Sequence, residues 1–169
     1  ALHNGYDPVS KKQLGPKTGE IKAFTSYEAV YNAFKEQLHH AIDVKIKGNL
    51  IIEKIFMEMM PAPFLSICTD DCIKKGKDYN AGGARYNTTY IQGVGIGTIT
   101  DCLSAIKYNV FDHKKFTLEQ MMNALEANFE GYDEIYHLVC NKTPKYGNDD
   151  DYADDIMLDV FSEYRDYIT

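Results

Sequence analysis

The chain lacks any apolar run near the about 18–20 residues that a membrane-spanning helix needs. Its first ten residues, ALHNGYDPVS, are polar and contain no signal-peptide hydrophobic region. The expectation is a protein with no membrane partner. Clustered positive charge is also missing. Lys and Arg number 18 against 25 Asp and Glu, for a net charge of -7. The basic runs Lys74–Lys77 and His113–Lys115 are too short to neutralise a phosphate backbone, so no nucleic-acid partner is expected. Cysteine is sparse, with four in 169 residues. Without an export signal, Cys68, Cys72, Cys102 and Cys140 read as reduced thiols in a cytoplasmic setting. An initiator Met is absent, so position 1 is not taken as the start of a gene.

Motifs that would carry chemistry are equally scarce. Cys68-Thr-Asp-Asp-Cys72 has the first spacing of a radical-SAM cluster, but the third cysteine would fall at position 75, which is Lys75. Iron–sulfur and structural zinc sites need three or four such ligands. Buried thiols are the plainer reading, and no metal is expected. Gly93-Val-Gly95-Ile-Gly97 begins like a dinucleotide fingerprint, but Thr98 follows and no βαβ context surrounds it. The five histidines (His3, His39, His40, His113, His137) have no metal-binding spacing, and His39 and His40 project from different helix faces. Asp149–Asp151 with Asp154 and Asp155 lack the alternation and glycine of a calcium loop, so helix capping is expected there. No Gly-x-Ser-x-Gly elbow occurs.

What is present is glycine set among aromatics. Between Lys77 and Phe111 lie Gly82, Gly83, Gly93, Gly95 and Gly97, with Tyr79, Tyr86, Tyr90 and Ile91. Glycine is used where backbone takes positive φ or another group comes close. The stretch therefore reads as chain packed tightly inside a larger body, with Arg85, Asn87 and Gln92 beside it. Asn87 and Gln92 are candidate polar groups near a cavity, because buried amides need partners. Their alternative role is to hydrogen-bond the glycine-rich backbone.

Elsewhere the patterning is helical. Residues 1–24 carry Gly5, Pro8, Gly15, Pro16 and Gly19 and read as a loop-rich lead-in with defined turns. Thr25-Ser-Tyr-Glu28 has the form of a capping box. Tyr27, Val30, Tyr31, Phe34, Leu38 and Ile42 follow at helical spacing. This helix should reach about Ile46, with Gly48-Asn49 either breaking it or being absorbed. Leu50–Met60 is a second apolar run, ended by Pro61 and Pro63. Phe64–Cys68 has the length of a strand or buried turn, and Asp70–Lys77 that of a short helix. Thr98 or Thr100 should cap a helix through about Tyr108, with Ile99, Leu103 and Ile106 inward. Thr117-Leu-Glu-Gln120 is a capping box for a helix carrying Leu118, Met121, Met122, Leu125 and Phe129. Asp133–Cys140 has one apolar face, and Asp149–Asp151 starts a last helix with Ile156, Val160 and Tyr164 along one side. The fold class expected is mainly α with a few short strands, in one unit.

Several ordered segments resemble the glycyl radical enzymes. They are Asn4-Gly-Tyr-Asp-Pro8, Lys12-Gln-Leu-Gly-Pro-Lys-Thr-Gly19, Gly83-Ala-Arg-Tyr-Asn87, Gln92-Gly93, Asp101–Lys107, Asn128-Phe-Glu-Gly131 and Lys145-Tyr-Gly-Asn-Asp-Asp150. They occur in the order found in the pyruvate formate-lyase-like domain, and the resemblance covers essentially the whole chain. It implies an α/β piece of a ten-stranded barrel, with residues 1–24 leading into a helical barrel segment, 25–169. It implies a lyase in which a radical-SAM activase installs a glycyl radical. That radical oxidises a cysteine of a Gly-Cys-x-Glu loop to a thiyl, which abstracts a substrate hydrogen while the Glu helps move a proton. Met60–Ser66, Thr69–Ile73 and Ala81–Thr88 are similar to the branch that dehydrates trans-4-hydroxy-L-proline to pyrroline-5-carboxylate. Glycerol or diol dehydratases, choline trimethylamine-lyase and formate acetyltransferase share the scaffold and stay open as alternatives. So does a non-catalytic truncated module that associates with the full enzyme. Further implied are the rest of a parent enzyme, a homodimer and anaerobic metabolism. Neither a Gly-Cys-x-Glu loop nor an Arg-Val-x-Gly radical loop occurs in these residues. The expectation is an internal fragment, inactive alone, with no catalytic residue and no cofactor bound by this segment.

Overall fold

A computed structural model describes residues 1–169. They form two compact units, residues 1–41 with 93–169, and residues 42–92.

The first unit opens with a small hairpin. Strand β1 (Tyr6–Asp7) pairs antiparallel with β2 (Lys12–Gln13), Tyr6 opposite Gln13 and Asp7 opposite Lys12. The Asp7 carboxylate accepts the N–H groups of Val9 (3.1 Å) and Ser10 (3.0 Å), which closes the turn. Gly5 sits at φ +75°, and a Cβ there would strike the carbonyl oxygens of Pro16 and Gly15. Gln13 Nε2 donates to the carbonyls of Asn4 and Gly15, both at 2.8 Å, and Asn4 Oδ1 accepts from Gly19 N–H at 2.9 Å. Gln37 Nε2 donates to Pro16 O (2.7 Å) and Thr18 Oγ1 (3.0 Å). The two N-terminal motif segments are thus one knitted loop. Asparagine, glycine and glutamine are needed there because a carbonyl-dense turn requires side-chain donors and no Cβ.

Helix α1 (Tyr27–Met59) is capped by Ser26, whose Oγ accepts from Ala29 N–H at 3.2 Å. The cap therefore lies one residue beyond the Thr25 expected from the capping-box pattern. Val30 and Ala33 are buried and meet Phe24, Ile106 and Leu118 in one core cluster. Helix α4 (Ile96–Ile106) starts at Gly95, left-handed at φ 86°, rather than at Thr98 or Thr100. Thr100 lies fully buried within the first turns and donates to Ile96 O at 2.8 Å. The helix runs on into a wider π-helical stretch, Lys107–Asp112.

Helix α5 (Leu118–Glu126) has the capping box expected of it. Thr117 Oγ1 accepts from Gln120 N–H at 3.1 Å, and Gln120 Oε1 accepts from Thr117 N–H at 2.8 Å. Its inner face is Leu118, Met121, Met122 and Ala124, while Leu125 is exposed and Phe129 lies past the end at φ 62°. Thr117→Ala should lower stability by about 1 kcal/mol, read as a shift in the urea midpoint at constant slope. Helix α6 (Asp133–His137) passes into a second π-helical stretch, Leu138–Lys142. The last helix, α7 (Asp151–Ile168), is capped by Asp150, whose carboxylate accepts from Tyr152 N–H at 3.1 Å. It packs on α4 through Leu103, Ile156 and Val160.

In the second unit, α1 continues without a break through Gly48 and Asn49 to Met59. The expected strand or turn at Phe64–Cys68 is instead helix α2 (Pro63–Ile67), with Pro63 at the first helical position, where a missing N–H costs nothing. Helix α3 (Asp70–Lys75) has acid in its first turn, base in its last, and left-handed Gly76 (φ 60°) as its stop. No helix of the chain is long and apolar enough to cross a membrane.

Candidate functional site

The glycine-rich segment of the second unit is organised by one carboxylate. Asp78 accepts Ala62 N–H (2.9 Å), the Ser66 hydroxyl (2.8 Å) and Asn80 N–H (2.9 Å). Ser66 Oγ in turn accepts Tyr79 N–H at 2.9 Å, and Asn80 Nδ2 donates to Met60 O at 2.7 Å. The Ser66 hydrogen bond leads the effects that hold the Asp78 carboxyl below the usual range. This arrangement ties the start of α2 to the turn Tyr79–Ala81, and left-handed Gly82 (φ 81°) ends that turn. Gly83 then passes against Cys72, with room for no side chain. Beyond it, Arg85 forms two bonds to Asp71 (2.8 and 3.2 Å), and Lys75 Nζ donates to Ala84 O at 3.1 Å.

Past this anchor the chain is exposed. Tyr86 and Tyr90 are 86% and 78% accessible, and Asn87 and Gln92 are exposed too. The expected burial of this stretch holds only at Gly83 and Ala84. Asn87 and Gln92 are therefore not buried amides within this chain, and they come from an exposed run rather than a formed cavity. Asn87 Nδ2 lies 3.3 Å from where a Gly82 Cβ would be. The cysteines divide likewise. Cys72 is buried, while Cys68, Cys102 and Cys140 are exposed, which corrects the expectation of a buried Cys68. No three His, Cys, Asp or Glu side chains gather as a metal-ligand set.

The first unit holds a second polar constellation, which sequence reading missed. Lys107 Nζ lies 4.6 Å from the Tyr152 ring centroid and 5.6 Å from that of Tyr27. Tyr152 OH donates to Asp112 Oδ2 at 2.8 Å, and Tyr108 packs edge-on against Tyr152. Tyr27 and Tyr31 stack at 6.0 Å. Burial, with the nearby carboxylates Asp159 and Glu163, pushes the Tyr31 phenol up to about 12. Burial also raises Tyr27 and Tyr152, the latter with help from its bond to Asp112. A phenol whose folded pKa exceeds its ordinary 10.0 favours folding below pH 10 and loses that contribution as pH rises towards 12. Stability should accordingly fall over that window, with tyrosinate absorbance lagging behind that of free tyrosine. A titration at the ordinary value would contradict this. The cluster is a cation held by aromatic faces beside an acid, and it offers no nucleophile or general base.

Beside the hairpin lies an open cleft of about 500 Å³ lined by residues including His3, Tyr6, Asp7, Gln37 and His40. His40 Nε2 is engaged by Leu14 O at 2.9 Å. His39 instead meets Glu163 at 2.7 Å and stacks on Tyr167, so the two histidines do diverge.

Comparison with known proteins places this architecture. All of residues 1–169 match the family described as pyruvate formate lyase-like. Trans-4-hydroxy-L-proline dehydratase of Clostridioides difficile is 63% identical over 168 residues, which is 99% of this chain and 21% of that protein. (2S)-3-sulfopropanediol dehydratase of Klebsiella oxytoca is 36% identical over 169 residues, 99% of this chain and 20% of that one. The crystal structure of the C. difficile hydroxyproline dehydratase with trans-4-hydroxy-L-proline bound superposes with a TM-score of 0.93 at 63% identity, covering 98% of this chain and 21% of that one. The chain spans about a fifth of the length of these relatives. The knitted N-terminal loop, the Asp78-anchored glycine turn and the α4–α7 pair are thus parts of a shared scaffold, and the chain belongs to the pyruvate formate lyase-like family.

Proposed function

We propose that this chain acts as part of a longer glycyl radical dehydratase that removes water from trans-4-hydroxy-L-proline to give pyrroline-5-carboxylate. The observation that carries this reading is the resemblance to hydroxyproline dehydratase along the whole chain, which far exceeds that to the sulfopropanediol enzyme. None of Cys68, Cys72, Cys102 and Cys140 follows Gly and precedes x-Glu, and no Gly follows Arg-Val-x. The residues present do not fit either radical-bearing role, so no step of the hydrogen abstraction is assigned to them. Their contribution is scaffold. The Asp78 turn and the knitted loop fix backbone in place, as a site for a reactive radical requires if water is to be kept out.

The same reading supplies the remaining partners: the rest of the parent enzyme within one pyruvate formate lyase-like domain, a radical-SAM activase, a second copy of the enzyme, and a cytoplasmic, anaerobic setting. Residues 1–24 are the loop-rich lead-in of that domain and 25–169 its helical segment. Asn87 and Gln92 are the amides proposed to approach the cavity. Asn87→Ala and Gln92→Ala in the full-length enzyme should then raise KM several-fold with kcat nearly unchanged. An unchanged KM would leave them as surface amides.

The test is turnover by the full-length polypeptide with activase, S-adenosylmethionine and reductant. Pyrroline-5-carboxylate formed from trans-4-hydroxy-L-proline is the expected result. Dehydration of a small diol, with hydroxyproline untouched, would overturn the substrate and favour the second reading, which rests on the 36% identity to a diol dehydratase.

A further inference from the structure

The second unit leaves a helix face without a partner. Five apolar side chains of α1 (Ile51, Ile52, Ile55, Phe56 and Met59) are between 42% and 75% exposed. At 3.6 residues per turn they fall on one side of the helix. Ile51, Ile55 and Met59 form one row at four-residue steps, and Ile52 and Phe56 form the row beside it. The charged residues of the same turns, Glu53, Lys54 and Glu58, lie outside those rows, where Lys54 pairs with Glu58 at 3.9 Å and Glu53 accepts from Thr89. The apolar exposure continues into α2, where Phe64 is 79% and Ile67 64% accessible.

Two adjacent rows at four-residue spacing leave a groove between them, the surface into which the corresponding ridge of another helix packs, at about 50° between axes. The face has no charge to attract a polar or ionic partner. A contiguous apolar patch of this width marks an interface rather than free surface. Its occupant can come from the same polypeptide, because relatives that include this segment carry about four-fifths of their length beyond it. We infer that the Ile51–Met59 face of α1 is the docking groove for an apolar helix from the part of the same polypeptide outside residues 1–169. The inference rests on the proposed function only in taking the chain as part of a longer one, and not on its substrate.

The test uses the full-length protein with a photoreactive p-benzoylphenylalanine in place of Ile55. Irradiation should give an intramolecular adduct that maps to a helical segment outside residues 1–169. In the unmodified protein, peroxide should oxidise Met59 at least tenfold more slowly in the native than in the urea-unfolded state. An adduct to a second copy of the chain would overturn the inference, as would an adduct confined to residues 1–169. Equal oxidation rates would overturn it too. Turnover of hydroxyproline in the same preparation is read separately. An inactive protein with Met59 protected removes the substrate reading and keeps the groove. An active one with Met59 unprotected does the reverse.

Discussion

Asn109→Asp should lower stability by roughly 3–5 kcal/mol at neutral pH, the range for a buried charge without a counter-ion. Asn109 is 0% exposed. Its amide nitrogen donates to Ala105 O at 3.0 Å and to Thr143 Oγ1 at 2.8 Å, and Thr143 Oγ1 donates onward to Leu138 O at 2.9 Å. Asp replaces that donor by an acceptor facing two acceptors, and the Asn109 Oδ1 already has no protein partner. The carboxyl would stay protonated to a higher pH than an exposed one, so the deficit should shrink as pH falls. Asn109→Ala, which creates a cavity and an unmet acceptor but no charge, should cost about 2 kcal/mol. Urea midpoints at two pH values check both numbers. An Asp variant within 1 kcal/mol of the parent would show that this clasp does not hold the helix to the 138–144 segment.

Gly83→Val is expected to reach or pass the upper end of the about 1–3 kcal/mol range for overpacking. An added Cβ would sit 2.7 Å from Cys72 Sγ and 2.9 Å from Asp78 O, and closer still to Lys77 O. Two of these three are backbone carbonyls that cannot rotate away. Asp78 O also accepts the Gly83 N–H at 3.0 Å, so relief by backbone shift breaks the turn. Cys72→Ala should rescue only part of the loss, because the carbonyl contacts remain. Gly76→Ala is the contrasting control. It has positive φ but open space around it, so its cost should stay near 1 kcal/mol. Limited proteolysis within residues 85–92 should accelerate in the Gly83 variant alone. Equal rates in both variants would mean that Gly83 does not anchor the exposed run.

The helices were legible where a local rule decides them. Thr117 and Gln120 form their box because both partners lie within one turn, and Asp150 caps α7 for the same reason. The errors came where a longer-range partner overrides the local cue. Thr100 has a capping side chain, but burial turns its hydroxyl inward and leaves the start to Gly95. Phe64–Cys68 has strand length, yet Pro63 at the first helical position and the Asp78 bond to Ala62 N–H make it a helix. The knitted N-terminal loop was visible as a motif without its geometry, because Gln37 reaches it from 21 residues away. The candidate site was less legible. Asn87 and Gln92 were chosen for the burial that glycine density suggests, but glycine here marks one close approach, at Gly83. Asp78, the group that organises the turn, carries no sequence signature beyond its place before a short polar stretch. Lys107, Asp112 and Tyr152 come together only through tertiary packing.

The π-helical stretch Lys107–Asp112 accommodates one residue more than an α-helix of the same rise would. Ahead of it, Leu103 serves the seam with Ile156 and Val160; from Ile106 onward, Val110 and Phe111 serve the cluster around Phe24 and Val30. A strict α ladder would carry one azimuth through and could satisfy only one of these layers. Deleting a single residue here would restore that ladder and rotate everything beyond by about 100°, taking Asn109 off Thr143 and Phe111 out of its layer. In this segment, therefore, chain length is more constrained than residue identity: conservative replacements at its half-buried positions can be absorbed, whereas a one-residue indel cannot.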